Sequence, residues 1–267
     1  MALHGPIRHD QVVKVLKPLQ PIQHLRECGL AEVQKAFFLR HTNITYVYDF
    51  FEYRETMHIV YERCGSPLDS LFGLQNFSGV IWMPAIARCV LRALGFMHSS
   101  GFVHQDLHLR NVLIAWAKDE MVPDQPGSIS FKVADLGLAK LAHEMDAQNT
   151  VPADWIRAPE AFNVNEFGPM DHRMDLYHAG LLFLQVMLGK EVRFTKDEVL
   201  DGQPRKIAEQ LPPPFGPAIA MALRRHAAQR HSSALQFWQA MCPPKLSEPS
   251  MDIFALLQAG KDESLSK

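Results

Sequence analysis

Cysteine is scarce in this sequence, and no pair of cysteines has a metal-binding spacing. The 267 residues include four cysteines, and no two of them form a C-x-x-C motif, so a zinc cluster or a dithiol redox pair is not indicated. Scattered cysteines are typical of a reducing compartment. We therefore interpret them as free thiols, at Cys28, Cys64, Cys89 and Cys242.

Long runs of charged or apolar residues are also missing. The 27 basic and 29 acidic residues give a net charge of −2 without any long basic run, so neither nucleic acid nor a membrane surface is favoured as a partner. The N-terminus has no apolar signal core, and apolar stretches such as AGLLFLQVMLG at 179–189 are too short to span a bilayer. We expect a cytoplasmic protein with no membrane or nucleic-acid partner; the oligomeric state is unknown.

The first sixty residues predict a small sheet with one helix. QVVKVLK at 11–17 is rich in β-branched residues and predicts a strand that ends at Pro18. HLRECGLAEVQKAFFLRH has apolar residues at helical spacing, with the helix proper beginning after Gly29. NITYVYDFFEY and TMHIVYERC predict two strands of a hairpin that turns at Arg54 and Glu55.

The sequence after residue 65 is mainly helical in character. The stretch at 80–101 predicts a buried amphipathic helix closed by Gly101. NVLIAW and SFKVADLG predict two strands, separated by an exposed, Pro- and Gly-containing loop at 117–129. The expected apolar face of the helix comprises Ile81, Ala85, Ile86, Cys89, Val90, Ala93, Leu94 and Met97.

Three short motifs occur in a fixed order along the chain: HQDLHLRN at 104–111, ADLG at 134–137 and RAPE at 157–160. They resemble the H-R-D-L-x-x-x-N, D-F-G and A-P-E motifs of the eukaryotic-type protein kinase catalytic domain. The resemblance covers about residues 11 to 240 and implies an α+β, protein-kinase-like two-lobed fold. It places a small β-rich N-lobe with one main helix at 1–64, a larger mainly helical C-lobe at 65–245 and a weakly ordered tail at 246–267.

The resemblance also assigns the residues of a phosphoryl-transfer site. Asp106 orients the acceptor hydroxyl of a protein substrate and takes its proton. Asn111 and Asp135 supply the hard oxygen ligands that Mg²⁺ requires, and the metal is shared with the phosphates of ATP. Lys14 grips those phosphates and pairs with Glu32 on the following helix.

Other positions carry weaker expectations. Lys17 competes with Lys14 for the phosphate-gripping role. Tyr61 stands at the back of the nucleotide pocket, and the backbone groups of Glu62 and Cys64 are expected to bind the adenine.

Two structural residues of the family also have counterparts here. Asp175, in DLYHAG, is expected to hold the backbone of the catalytic loop. Arg230 is expected to pair with Glu160 of RAPE, although a solvated arginine on a late helix is the alternative.

The sequence departs from the family pattern at the phosphates. Only thirteen residues precede Lys14, and they contain one glycine where the family has G-x-G-x-x-G. Val12 stands in place of a small alanine above the adenine. Both departures predict weaker nucleotide binding. Gln105 replaces the arginine that receives activation-loop phosphate, and His108 replaces a lysine near the transferred phosphate.

Three functional hypotheses follow. The first is an ATP-dependent protein kinase with specificity for serine and threonine. WIRAPE at 155–160 resembles a proline-directed serine/threonine branch of the family, whereas Arg110 favours tyrosine and Ala153 replaces a threonine typical of serine/threonine kinases. The second is a pseudokinase that acts as an interaction module with little or no turnover. The third is that a longer product or a partner supplies the missing phosphate-covering hairpin. A zinc site formed by His104 and His108 is a minor alternative, because H-x-x-x-H binds zinc on a helix and the motif here lies in a loop.

Overall fold

The computed structural model describes residues 11–16, 21–117, 127–145 and 156–242. These residues form a small strand-rich N-lobe followed by a larger lobe that consists mainly of helices. The predicted α+β, two-lobed architecture is therefore confirmed. The lobe boundaries at residues 64 and 245 stay a prediction, and the tail at 246–267 lies outside the described residues.

The N-lobe is a three-stranded antiparallel sheet covered by one helix. It consists of β1 (Gln11–Val15), α1 (Ile22–Phe38), β2 (Val47–Tyr53) and β3 (Thr56–Glu62), and the strand order is β1-β3-β2. Arg54 and Glu55 join β2 to β3 with φ angles of 50° and 55°. Positive φ at both central residues is typical of the turn that matches the twist of a hairpin, so the predicted hairpin is confirmed.

Helix α1 begins at Ile22, well before the predicted start after Gly29. The glycine does not end or begin the helix but lets it approach the sheet closely. A Cβ atom at Gly29 would lie 2.6 Å from the ring of Phe50 on β2. The prediction was wrong because an isolated glycine was interpreted as a helix boundary when it serves helix–sheet packing.

The central helix of the large lobe is α2 (Gly79–Ser99), and Gly101 follows it with a φ of 82°. This confirms the predicted helix and its glycine closure. Ile81 is wrong as a member of the buried face, because it is 41% exposed. By length and composition α2 could cross a membrane. In this fold it packs against the rest of the lobe, and its buried side chains include Trp82, Met83, Ile86, Ala87, Val90, Leu91, Leu94 and Met97.

Two short strand pairs lie beside α2. β5 (Val112–Ala117) pairs with β6 (Ser128–Val133), and β4 (Phe102–Val103) pairs with β7 (Lys140–Leu141). Both predicted strands are confirmed, and most of the loop expected between them lies outside the described residues. Val112 is opposite Val133, so the residue before β5 and the residues after β6 emerge at the same end of the ladder.

Six further helices complete the described part of the large lobe. They are α3 (Val164–Phe167), α4 (Arg173–Leu188), α5 (Lys196–Leu200), α6 (Gln203–Ala208), α7 (Phe215–Ala222) and α8 (Ala234–Met241). The α4 helix is enclosed almost completely, because every residue from Met174 to Val186 is buried. Short 3-10 helices lie at Leu68–Gly73, Leu109–Asn111, Ala142–Glu144, Pro159–Ala161 and Ala227–Gln229.

Candidate active site

A cavity of about 340 Å³ lies in the cleft between the two lobes. Its walls come from β1, β3, the segment that follows β3, and the ends of β5 and β6. Five of the residues predicted for the nucleotide pocket line this cavity, together with Val12. They are Lys14, Tyr61, Glu62, Cys64 and Asp135.

The predicted lysine–glutamate pair is formed. The Nζ atom of Lys14 lies 2.8 Å from Oε1 of Glu32 and 3.0 Å from Oδ1 of Asp135. Burial lowers the pKa of Lys14, but the two carboxylates outweigh it and hold the pKa above its ordinary value. The ammonium is therefore charged at neutral pH. Lys17, the competing candidate, lies outside the described residues.

A third side chain joins this pair. The hydroxyl of Tyr61 on β3 donates a hydrogen bond to Oε1 of Glu32. Burial first, and then the negative charge of Glu32, raise the pKa of the Tyr61 phenol. The sequence indicated Tyr61 only as a bulky residue at the back of the pocket, because nothing in a strand pattern shows which helix residue a phenol will reach.

Asp106 and Asn111 hold each other in the catalytic loop. The side-chain amide nitrogen of Asn111 donates to the backbone oxygen of Asp106 at 2.9 Å and to its carboxylate at 3.1 Å. Burial would raise the pKa of Asp106, but the hydrogen bond and charge of His108 outweigh it, so the pKa lies below its ordinary value. The carboxylate is ionised at neutral pH and can accept a proton.

Asp175 of α4 fixes the backbone of the catalytic loop. Its two carboxylate oxygens accept the N–H groups of His104 and Gln105, both at 2.8 Å, and His98 contacts the same carboxylate at 2.9 Å. Asp175 is fully buried. Desolvation would raise its pKa, but His98 outweighs it and the pKa is lowered. The expectation for Asp175 is confirmed.

His104 connects the catalytic loop to the loop that carries Asp135. Its Nδ1 accepts the N–H of Asp106 at 3.2 Å, so its Nε2 carries the proton and donates to the carbonyl of Ala134 at 3.1 Å. Both ring nitrogens are thus in use. The zinc alternative is not supported, because His104 has no nitrogen left to bind a metal.

Two residues of the site have left-handed backbone conformations. Gln105 has a φ of 70° and Asp135 a φ of 60°. Such conformations are costly for residues other than glycine and cluster at functional sites. In this chain Gln105 lies within the catalytic loop, and Asp135 is itself a predicted metal ligand.

The pairing expected between Arg230 and Glu160 is present. The two guanidinium nitrogens lie 2.7 and 2.6 Å from the two carboxylate oxygens, and both side chains have an exposed fraction of 0%. The alternative of a solvated arginine is wrong.

A second ion pair was missed by the sequence analysis. Nζ of Lys132 on β6 lies 2.8 and 2.7 Å from the two carboxylate oxygens of Glu62, and the same carboxylate accepts the N–H of Tyr46 at 2.7 Å. The pair joins the end of β3 to the large lobe. A signal was available, since a lysine inside a buried strand requires an acidic partner.

The residues present fit ATP and Mg²⁺. The amide nitrogen of Asn111 is used by Asp106, so its oxygen is the atom left for a metal. One oxygen of Asp135 accepts from Lys14 and from the N–H of Gly137, which leaves the other. Two hard oxygen atoms are the ligand type that Mg²⁺ prefers, and the apolar wall formed by Val12 and Leu113 suits a flat purine ring.

Comparisons with known proteins agree with this geometry. The sequence profile of the protein kinase domain matches residues 7–247. The human serine/threonine-protein kinase ULK1 is 29% identical over 155 residues, which are 57% of this chain and 14% of the relative. The rice cyclin-dependent kinase D-1 is 27% identical over 60% of this chain and 35% of its own length.

The mitogen-activated protein kinase HOG1 of Hortaea werneckii is 30% identical over 192 residues, which cover 70% of this chain and 48% of the relative. The chain therefore spans less than half the length of each of these three relatives.

Proposed function

Since the chain belongs to the protein kinase family, we propose that it transfers the γ-phosphoryl group of ATP to a serine or threonine hydroxyl of a protein. The hydroxyl oxygen forms a bond to the γ-phosphorus, the bond between that phosphorus and the β,γ-bridging oxygen breaks, and ADP leaves. The hydroxyl proton passes to the carboxylate of Asp106. The serine/threonine preference rests on the names of the relatives.

The residues of the cleft divide this work. Lys14, held by Glu32, contacts the α- and β-phosphates, and the backbone of Glu62 and Cys64 binds the adenine. Asn111 and Asp135 would hold Mg²⁺, which when bound neutralises charge that develops on the phosphates. Asp106, fixed by Asn111, positions the acceptor hydroxyl.

The single observation that carries the proposal is the contact of Lys14 with both Glu32 and Asp135, at 2.8 and 3.0 Å. Three residues from β1, α1 and the loop after β6 meet at one point. A protein that had kept only the shape of the fold has no need of that cluster. Four free thiols support a cytoplasmic site of action as part of the same proposal.

The test is incorporation of labelled phosphate from ATP into arrays of serine-, threonine- and tyrosine-containing peptides. Activity of the unmodified chain should fall at least a thousandfold, to about background, in Asp106→Asn and in Lys14→Met, because several kcal/mol of charge stabilisation is lost. Lys206→Met, which changes an exposed lysine on α6 of the large lobe, is the matched control and should retain activity. Equal incorporation in all variants contradicts the proposal.

The pseudokinase hypothesis has one observation in its favour: Val12, which stands in place of the family's small alanine, lines the cavity. A thermal-shift titration separates the two functions. Binding of ATP with Mg²⁺ to the folded state raises the melting temperature by mass action, and chelation of the metal should abolish the rise. The interaction-module function is favoured if millimolar ATP with Mg²⁺ gives no shift and no phosphate is incorporated.

A further inference from the structure

A cavity of about 530 Å³ lies outside the cleft. Its walls come from the segment between α1 and β2, from α2, from β6 and from α8. None of the residues assigned to phosphoryl transfer lines it. A volume of this size is within the range of sites that bind small ligands or peptide side chains.

Two arginines of α2 stand at the edge of this cavity. Arg88 and Arg92 are exposed, and they are one helical turn apart, so their side chains lie on the same face of α2. Neither of them makes an ion pair with another residue in the part of the chain that the structure describes. Like charges at this spacing destabilise a helix slightly, and an anionic ligand would remove that cost.

A second cavity extends this surface along α8. It has a volume of about 330 Å³ and shares Arg88, Arg92 and Trp238 with the first. Leu235, at its edge, is 63% exposed. The two cavities therefore form one groove, which has the two arginines and Trp238 at its middle and apolar surface at both ends; we call it the α2–α8 groove. No carboxylate of the described residues lines either cavity.

We propose that the α2–α8 groove binds an acidic peptide segment of a partner protein. The segment has two carboxylates at alternate positions, which pair with Arg88 and Arg92, and apolar residues at the next alternate positions on either side, which fill the two cavities. All of these side chains lie on the same face of an extended peptide, because its successive side chains point to opposite faces. Alternate side chains of an extended peptide are about 7 Å apart, and side chains one helical turn apart are separated by about 5–6 Å, so the two spacings match.

A peptide fits this surface better than a free phosphate does. A phosphate requires several donors that converge on one point, whereas the two guanidinium groups here stand on an exposed helix face with apolar surface on both sides. A two-cavity groove instead requires a ligand with a repeating backbone. Binding at this face does not depend on the proposed phosphoryl transfer, since no residue is shared.

The proposal is tested by selection from a random peptide library displayed on phage, with the full chain as the target. Peptides enriched by the unmodified chain should combine Asp or Glu with apolar residues, and they should be lost when the target is Arg88→Glu/Arg92→Glu. Affinity is then measured by fluorescence anisotropy with a synthetic peptide in which two glutamates at alternate positions are followed and preceded, at the next alternate positions, by leucine or phenylalanine. Its Kd should rise about tenfold for each arginine replaced, the equivalent of about 1.4 kcal/mol per contact.

Three controls define the outcome. Lys190→Glu/Lys206→Glu makes the same change of net charge at exposed positions outside the groove and should leave the Kd unchanged. The peptide with glutamine in place of every glutamate should bind more weakly, and added salt should weaken the glutamate peptide. If Arg88→Glu/Arg92→Glu has a lower melting temperature than the unmodified chain, Arg88→Gln/Arg92→Gln is used in its place.

Equal affinity for the unmodified chain and the arginine variants overturns the proposal. So does a selection that yields no acidic peptides. Asp106→Asn should bind the glutamate peptide as tightly as the unmodified chain, so a failure of the proposed kinase activity leaves this test intact.

Discussion

Replacement of Arg230 by methionine should strongly destabilise the protein. The side chain donates to both carboxylate oxygens of Glu160 at 2.7 and 2.6 Å and to the carbonyls of Arg173, Arg224 and Arg225 at 3.1, 2.8 and 3.0 Å. Glu160 and Arg230 are both fully buried as side chains. Methionine would leave a buried carboxylate without a counter-charge, and the breaking of a buried ion pair in this way costs about 3–5 kcal/mol.

The free energy of unfolding is measured by urea titration followed by circular dichroism. Arg225→Met is the matched control: this neighbouring arginine is exposed and donates one bond to the carbonyl of Leu200, so its loss should cost less than about 1 kcal/mol. In the double variant Glu160→Gln/Arg230→Met, the cost should be smaller than the sum of the two single changes, because the orphaned charge is gone. A loss in Arg230→Met no larger than in Arg225→Met refutes the reasoning.

Three further changes have defined outcomes. Tyr61→Phe removes the hydrogen bond to Glu32 and should weaken ATP binding about three- to tenfold in a thermal-shift titration; unchanged affinity would show that Tyr61 does not position Glu32. Gly29→Ala places a Cβ 2.6 Å from the ring of Phe50 and should lower the free energy of unfolding by about 1–3 kcal/mol, whereas helix propensity alone predicts a gain of about 1 kcal/mol. Burial lowers the pKa of His178 to about 4, so the unfolded chain takes up a proton that the folded chain does not. Stability attributable to this group is therefore lost at about 1.4 kcal/mol per pH unit as the pH falls from about 6.5 towards 4, and urea titrations of His178→Leu should lack this part of the pH dependence.

The elements that depend on local patterns were predicted well. The β2–β3 hairpin, α2 and the strands β5 and β6 follow from alternation or helical periodicity bounded by turn residues. The start of α1 was not predicted, because the reason for Gly29 is the ring of Phe50 on a different element. The prediction that Ile81 is buried was wrong for a related reason. Periodicity shows that a helix has a buried face, but which residues form that face depends on the neighbouring elements that cover it.

For the candidate site, motif order along the chain identified residues that the fold does bring together. The pairs Lys14–Glu32 and Arg230–Glu160 are both formed. The sequence did not show the hydrogen bond from Tyr61 or the ion pair that Lys132 makes across the lobes. Each of these depends on two side chains from separate elements, and their distance is set by packing rather than by spacing along the chain. The catalytic and metal-binding roles themselves stay predictions, because proximity alone does not test them.

The charges of the cleft explain why the proposed reaction depends on a divalent ion. Lys14 carries one positive charge, but Glu32 and Asp135 contact the same ammonium and carry two negative charges. The cluster is therefore negative as a whole, and a triphosphate brought into it would be repelled. Because two carboxylates balance the charge of Lys14, the proposed role of Lys14 is to orient the phosphates more than to attract them. In the proposed reaction a divalent cation would supply the attraction, and the free side-chain oxygens of Asp135 and Asn111 are the atoms that would hold it.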